Sequence, residues 1–269
     1  MKNVQTTNKL TQKEDTLAQD LYKAYKTHQP LNKENYQDWL KNDDSAYKVQ
    51  HKLTDLKDQN VGGYKVSLTS KQTQDMFSAN QPLYGMQVSS HFLSSPTNLT
   101  ENQLMDPLAE VEMCFGVKQT LLPEDSLSTL MQKTTVAPAV EVPDSRFSNW
   151  FPSLNKYLVM ADAAVGGFVV YGPEVDTSLL FQSPEELSKV SATLYHNGNK
   201  KKDGSSDQVL GNPLKSLHWL VQKLSQQKFS LKKGQRVSSG TFLLPEHVTK
   251  GSWKATFNCG LGAVFFNVK

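Results

Sequence analysis

The stretch Leu108-Ala109-Glu110-Val111-Glu112-Met113-Cys114-Phe115-Gly116-Val117 constrains this chain more than any other. Read as a strand, its side chains alternate between faces, so Val111, Met113, Phe115 and Val117 point one way. Glu110, Glu112 and Cys114 then point the other. In a helix, residues two apart sit roughly 200° round from each other, and the carboxylates would diverge. The strand sets them about 7 Å apart or less on one face. Two readings account for such a pair. One is a bound divalent cation, because hard ions such as magnesium take oxygen ligands and reverse the repulsion. The other is a solvated sheet face with its acids turned to water.

The 269 residues suffice for one large domain, or one domain with an extension. A chain of that size buries roughly 70–75% of its surface. It is 38% hydrophobic and 20% charged, as soluble globular proteins are. A net charge of +3, thinly scattered, argues against a nucleic-acid or membrane surface. The one basic run, Lys200-Lys201-Lys202 after Asn197-Gly198, reads as a solvated turn. The polar start, Met1 to Gln5, predicts no signal peptide, and no apolar run approaches the ~18 residues of a transmembrane helix. Cys114 and Cys259 lie in apolar runs and read as reduced packing residues, so the expected compartment is the cytoplasm.

Residues 1–60 are polar, lysine-rich and helical in pattern. Leu10, Leu17, Leu21 and Tyr25 mark one face of a first helix. Tyr36, Trp39 and Leu40 after Asn32 predict a short second helix. Tyr47, Val49, Leu53 and Leu56 give the apolar side of a third, from about Ser45. Few large apolar residues occur here, so the segment is expected to be a helical arm on a β-rich domain at 61–269. After Val61-Gly62-Gly63 the period changes: Tyr64, Val66 and Leu68 alternate with Lys65, Ser67 and Thr69, as in a strand. Further strand-like runs fall at 137–142, 167–172 and 190–194, the last leading to an Asn197-Gly198 hairpin turn. Asn212-Pro213 opens an amphipathic helix with Leu214, Leu217, Leu220, Val221 and Leu224 on one side. Two strands, 252–259 and 261–268, close the chain around Gly260.

A third acid, Glu141, sits between Val140 and Val142. A carboxylate in an apolar strand is unfavourable to bury unless paired or metal-bound; otherwise it lies on the wet face of an edge strand. Lys65 offers the same choice between a buried acid–base group and a lysine reaching to water. His91, His196 and His218 are too scattered to suggest a metal pair and read as packing, capping or surface residues.

Several segments follow in a fixed order: Gly63-Tyr64-Lys65-Val66-Ser67-Leu68-Thr69-Ser70, Gln81-Pro82-Leu83-Tyr84-Gly85, Ala109-Glu110-Val111-Glu112, Pro138-Ala139-Val140-Glu141-Val142-Pro143-Asp144-Ser145-Arg146, Ala161-Asp162-Ala163 and Leu210-Gly211-Asn212-Pro213. Together they resemble the 2-keto-4-pentenoate hydratase and 4-oxalocrotonate decarboxylase branch of the fumarylacetoacetate hydrolase superfamily. The resemblance covers about residues 45–269 and includes Ala46-Tyr47-Lys48-Val49-Gln50 in the arm. It implies an α+β fold, a mixed β roll with a barrel-like core and a helical N-terminal arm, assembled into homo-oligomers. It implies Mg2+ or Mn2+ held by Glu110, Glu112 and Glu141. The implied substrate is a short 2-oxo or 2-hydroxydienoate acid from aromatic catabolism, with no nucleic acid or membrane as partner.

The implied activity is a hydratase that adds water at the far alkene carbon to give a 4-hydroxy-2-oxo acid. Lys65 would transfer a proton or stabilise the enolate, and Asp162 would orient an ion-bound water or a backbone strand. Ser239, Gly240 and Thr241 match the family's Thr/Ser-Gly-Ser/Ala turn and would cradle the substrate carboxylate. Leu83, on the substrate side, stands where the hydratases carry an acid. Decarboxylating members are apolar there, so decarboxylation of a 4-oxalocrotonate-type acid is the nearest alternative. Ser67 and Ser206 replace glycines and Ala163 replaces an asparagine. These changes around the presumed pocket admit a further reading, a weakened paralogue that binds a partner enzyme.

Overall fold

The computed structural model describes residues 9–269; the polar start, Met1 to Gln5, lies outside them. Two helices open the described chain, α1 (Gln12–Thr27) and α2 (Asp43–Leu56). Thr11 caps α1 in a reciprocal box with Glu14, and Asn42 caps α2 through Ser45 N. Leu17 and Leu21 of α1 and Tyr47, Val49 and Leu53 of α2 join the main hydrophobic core. Gln50, fully buried on α2, donates to Tyr84 O at 3.0 Å and Met160 O at 2.6 Å and accepts from Met86 N at 2.8 Å. Those bonds satisfy backbone groups that the β-rich part leaves open, so the arm and that part share one core.

The chain continues through β1 (Val61–Ser67), α3 (Lys71–Met76), β2 (Leu83–Val88), β3 (Phe92–Ser94), β4 (Thr97–Leu99) and β5 (Leu108–Val117). Next come α4 (Leu127–Gln132), β6 (Thr134–Val142), α5 (Lys156–Ala161), β7 (Phe168–Tyr171), β8 (Val175–Asp176) and α6 (Thr177–Leu180). The hairpin β9 (Ser191–His196) and β10 (Asn199–Ser205) precedes α7 (Pro213–Gln226). The short β11 (Arg236–Ser238) and β12 (Glu246–His247) lead to β13 (Gly251–Phe257) and β14 (Gly262–Val268).

A nine-stranded mixed sheet runs β2-β1-β11-β5-β6-β7-β3, with β12 also on β5 and β8 also on β6. A second sheet runs β10-β9-β13-β14-β4. Pro138, in mid-β6, has no N–H to give a neighbour. It falls between the residues that β6 pairs with β8 (Thr135, Val136) and those that it pairs with β7 (Ala139 to Val142). The proline therefore marks where one edge partner ends and the next begins. Among the described residues no helix is long and apolar enough to cross a membrane.

Three local expectations change. The second helix is only a 3-10 turn, Lys33–Asn35, because Tyr36 turns its ring onto Trp39 and Phe147 instead of extending a helical stripe. Lys200, Lys201 and Lys202 lie in β10, not in a turn, since the two-residue Asn197-Gly198 turn lets pairing resume at Asn199. That strand is a sheet edge, where lysines discourage edge-to-edge association. Cys259 is exposed in the turn between β13 and β14 with φ +53°, not packed in a strand.

Candidate metal centre and active site

The antiparallel register of β5 and β6 sets Glu110 directly opposite Glu141, and Glu112 opposite Ala139. Like charges facing each other destabilise a sheet, so this pairing requires compensation. One oxygen from each of Glu110, Glu112 and Glu141 lies within 4.8 Å of the others. Glu112 and Glu141 are each 1% exposed, while Glu110 is partly buried. Neither acid face turns to water, because both faces of β5 are covered. Val111, Met113 and Phe115 enter the main core, and Cys114 packs with Ala139 and Val169 on the other side.

Neighbouring strands fix each acid. Glu112 Oε2 accepts from Ser238 Oγ at 2.6 Å and from Gly240 N at 2.8 Å. Only glycine fits at 240: its φ is +110°, and a Cβ there would lie 2.4 Å from Thr69 Oγ1. Lys65, 1% exposed on β1, ion-pairs with Glu141 and donates to Ala164 O at 2.9 Å. Glu141 Oε2 is buried without a hydrogen-bond donor among the described residues.

Burial works against the Lys65 ammonium, but Glu141, Glu110 and Glu112 together hold its pKa above the ordinary lysine value. Burial pushes Glu110 up to about 7, with Lys65 opposing and Glu141 adding. Burial also raises Glu112 well above the ordinary range, helped by Glu141 and Glu110, and raises Glu141 against the pull of Lys65. Once all ionised, three acids against one ammonium leave a buried excess of negative charge, which is what burial resists. An oxygen-only donor set, an unsatisfied carboxylate oxygen and that excess all fit a hard divalent ion. The absence of cysteine or histidine from the set disfavours zinc.

Lys65 is held by an unusual turn. After α5, residues Ala163, Ala164 and Val165 have φ of +51°, +56° and +51°. Left-handed backbone costs roughly 1–2 kcal/mol per non-glycine residue, so the turn must be held from outside. Asp162 and Arg146 do this. Asp162, fully buried, accepts from Ser145 Oγ, Arg146 N and the Arg146 guanidinium. Arg146 in turn donates to Gly166 O and Asp162 O, across the two ends of the turn. Gln87 Nε2 donates to Ala163 O at 3.1 Å. Gly85 allows the close approach, because a Cβ there would lie 1.9 Å from Ala163 O.

The other residues singled out in the sequence lie as follows. Ser239 Oγ accepts from Met113 N at 3.2 Å, and Ser239 O accepts from Ser216, so it joins β5, β11 and α7. Thr241 lines a cavity that Lys65 and Glu110 also line. Leu83 is buried on β2 opposite Ser67 and does not line that cavity. Asp162 stands apart from the acids, spent on the turn. His91 bonds Gln87 and Tyr25, His196 stacks on Trp253, and His218 bonds Pro123 O. Two contributors were not foreseen. Ser238 carries no motif signal, and the Ala164 carbonyl is backbone; its one trace was Ala163 in place of asparagine, the residue best suited to left-handed backbone.

No family model matches the chain. It is 29% identical over 231 residues to a 2-oxo-hept-4-ene-1,7-dioate hydratase of Escherichia coli, covering 81% of this chain and 83% of that one. It is 27% identical over 224 residues to a 2-keto-4-pentenoate hydratase of Burkholderia vietnamiensis, covering 81% and 83%. A 4-oxalocrotonate decarboxylase from Pseudomonas putida G7, solved with magnesium and adipate, superposes with TM-score 0.87 at 22% identity over 97% of this chain and 100% of that one. A fumarylpyruvate hydrolase from Pseudomonas aeruginosa, solved with Mn2+ and pyruvate, superposes with TM-score 0.60 at 15% identity over 76% and 88%. The fold is therefore fumarylacetoacetate hydrolase-like, and in sequence the chain is similar, at 29% and 27% identity, to hydratases of 2-oxo-alkenoate acids.

Proposed function

We propose that this chain is a divalent-metal-dependent hydratase that converts a short 2-hydroxydienoate or 2-oxo-alkenoate into a 4-hydroxy-2-oxo acid. The observation that carries the reading is the convergence of Glu110, Glu112 and Glu141 beside a buried Lys65. These acids would hold Mg2+ or Mn2+, which supplies Lewis-acid polarisation of the substrate's 2-oxygen. Lys65 Nζ, kept protonated by three carboxylates, stabilises the charge that develops on the 2-oxygen as the dienol releases its hydroxyl proton to water and takes up one at carbon 5 to become the ketone. The oxygen of water then bonds to carbon 4 and a proton to carbon 3, so one water is added overall. Asp162 and Arg146 act as positioning residues, holding the turn whose Ala164 carbonyl aims the ammonium. Thr241 is the member of the Ser239-Gly240-Thr241 turn that lines the cavity, its hydroxyl given to Leu243 O, while Gly240 orients Glu112. Assembly as homo-oligomers in the cytoplasm belongs to the same reading.

One second reading, loss of carbon dioxide from a 4-oxalocrotonate-type acid, is supported by the 26% identity over 210 residues to a 4-oxalocrotonate decarboxylase. Incubation with 2-hydroxypenta-2,4-dienoate, with and without Mg2+ or Mn2+, tests the proposal by product mass. Metal-dependent gain of one water is expected. No turnover of any 2-oxo acid with either ion would overturn it.

A further inference from the structure

The cavity beside the acids is polar at one set of residues and bare elsewhere. Among the described residues its only charged lining groups are Lys65 and Glu110. The hydroxyls of Thr73 and Thr241 are already given to Ser70 O at 3.0 Å and Leu243 O at 2.7 Å. Ser67 and Thr69 add two uncharged hydroxyls, and the rest of the wall is largely apolar: Leu68, Phe77, Trp150, Phe151, Val159 and Val165. Phe151 joins the aromatic part, its ring centre 6.4 Å from that of Phe77 and 5.5 Å from that of Trp150. Two lysines flank this wall in sequence. Lys71 is exposed and paired with Asp75, and Lys156 donates to Ser78 O and does not line the cavity.

We propose that this cavity selects 2-oxo acids whose far end is an uncharged alkyl or aryl group and turns away those that carry a second carboxylate. The inference rests on the hydratase reading and narrows its substrate class. The relatives are named for both kinds, a heptenedioate and a pentenoate. Charge bookkeeping separates them here. Three glutamates, one lysine and one divalent ion sum to zero, and the substrate's own carboxylate adds one negative charge. A second carboxylate would bring another against rings and aliphatic groups, with no cation on the wall besides the already paired Lys65 and only the Ser67 and Thr69 hydroxyls to donate, which is strongly unfavourable in a water-poor site. Release of the far carboxyl as carbon dioxide would require that same charge to enter first. An alkyl end gains from the wall instead, by about fourfold in affinity per methylene buried.

The test uses unreactive 2-oxo acids and the whole chain with excess magnesium. Calorimetry gives affinities for 2-oxohexanoate, 2-oxopentanoate and 2-oxoadipate. The expected result is 2-oxohexanoate binding at least about 100-fold more tightly than 2-oxoadipate and about fourfold more tightly than 2-oxopentanoate. Phe77→Arg or Phe151→Arg, whichever retains wild-type melting, should narrow or reverse the preference by giving the second carboxylate a partner. Equal affinity for the two six-carbon acids would overturn this inference and leave the 2-oxo acid site standing. So would carbon dioxide release from 4-oxalocrotonate as fast as hydration of a monoacid. Binding of none of the three acids would overturn the hydratase reading itself, and this inference with it.

Discussion

Replacing Glu110 by glutamine should stabilise the metal-free protein and destroy its response to magnesium. The magnitude follows from the carboxyl's setting. An ordinary glutamate titrates near 4.5, and burial pushes Glu110 up to about 7. Keeping it ionised in the fold at pH 8 therefore costs about 2–3 kcal/mol. Because the folded value is raised, that penalty is present above pH 7 and fades as the pH falls and Glu110 takes up a proton. The glutamine carries no such penalty. For a chain of this size each kcal/mol moves the melting temperature by about 2–4 °C, so the variant in EDTA at pH 8 should melt about 4–12 °C higher. The gain should shrink by pH 5.5. Magnesium at a hundred times its Kd should raise the wild type by about 2.7 kcal/mol and the variant hardly at all, cancelling the variant's lead. Differential scanning calorimetry in EDTA and in magnesium reads all four states. A variant that melts below the wild type in EDTA and keeps the full magnesium shift would refute the reasoning.

Lys65→Ala should lower turnover by at least about 100-fold while the chain with bound ion still folds, checked by steady-state kinetics beside circular dichroism. Asp162→Ala leaves the Arg146 guanidinium buried without its partner and frees the turn at 163–165. A loss of about 3–5 kcal/mol should appear in denaturant titration, together with a fall in kcat as the lysine loses its carbonyl. Lys57 is buried against the Tyr25 ring, and burial, then Arg146, hold it down at about 7 against the pull of Asp162. The unfolded chain binds the extra proton between about pH 7 and pH 10, so stability should rise across that window. Lys57→Met should be more stable than the wild type at pH 7 by about 2–4 kcal/mol and should show a flatter pH profile.

The sequence carried what depends on neighbours along the chain and little of what depends on neighbours across it. The alternation in Leu108–Val117 sufficed to place Glu110 and Glu112 on one face of a strand, and α7 announced itself by its cap and its leucines. That Glu141 faces Glu110 is a matter of register, set by which residues of β6 sit across from β5, and no local pattern encodes it. Asp162 shows the limit most clearly. The resemblance left it two roles, orienting an ion-bound water or a backbone strand, and only the structure brings it to Arg146, sixteen positions earlier in the chain. The left-handed run Ala163-Ala164-Val165 is hidden for the opposite reason: those residues favour other backbone, and only tertiary bonds from Arg146, Gln87 and Lys65 keep them there. The lysines of β10 were misread because a charge run looks the same in a turn and on a sheet edge.

The central claim, that three distant acids form one divalent-ion site, is tested most directly by titrating the metal-free protein with Mn2+ and measuring free ion by electron paramagnetic resonance. The account predicts one tight site per chain in the wild type, displaced by Mg2+, and none in Glu112→Gln of unchanged melting in EDTA. Retention of that site at full stoichiometry in the variant, or no tight site in the wild type, would contradict it.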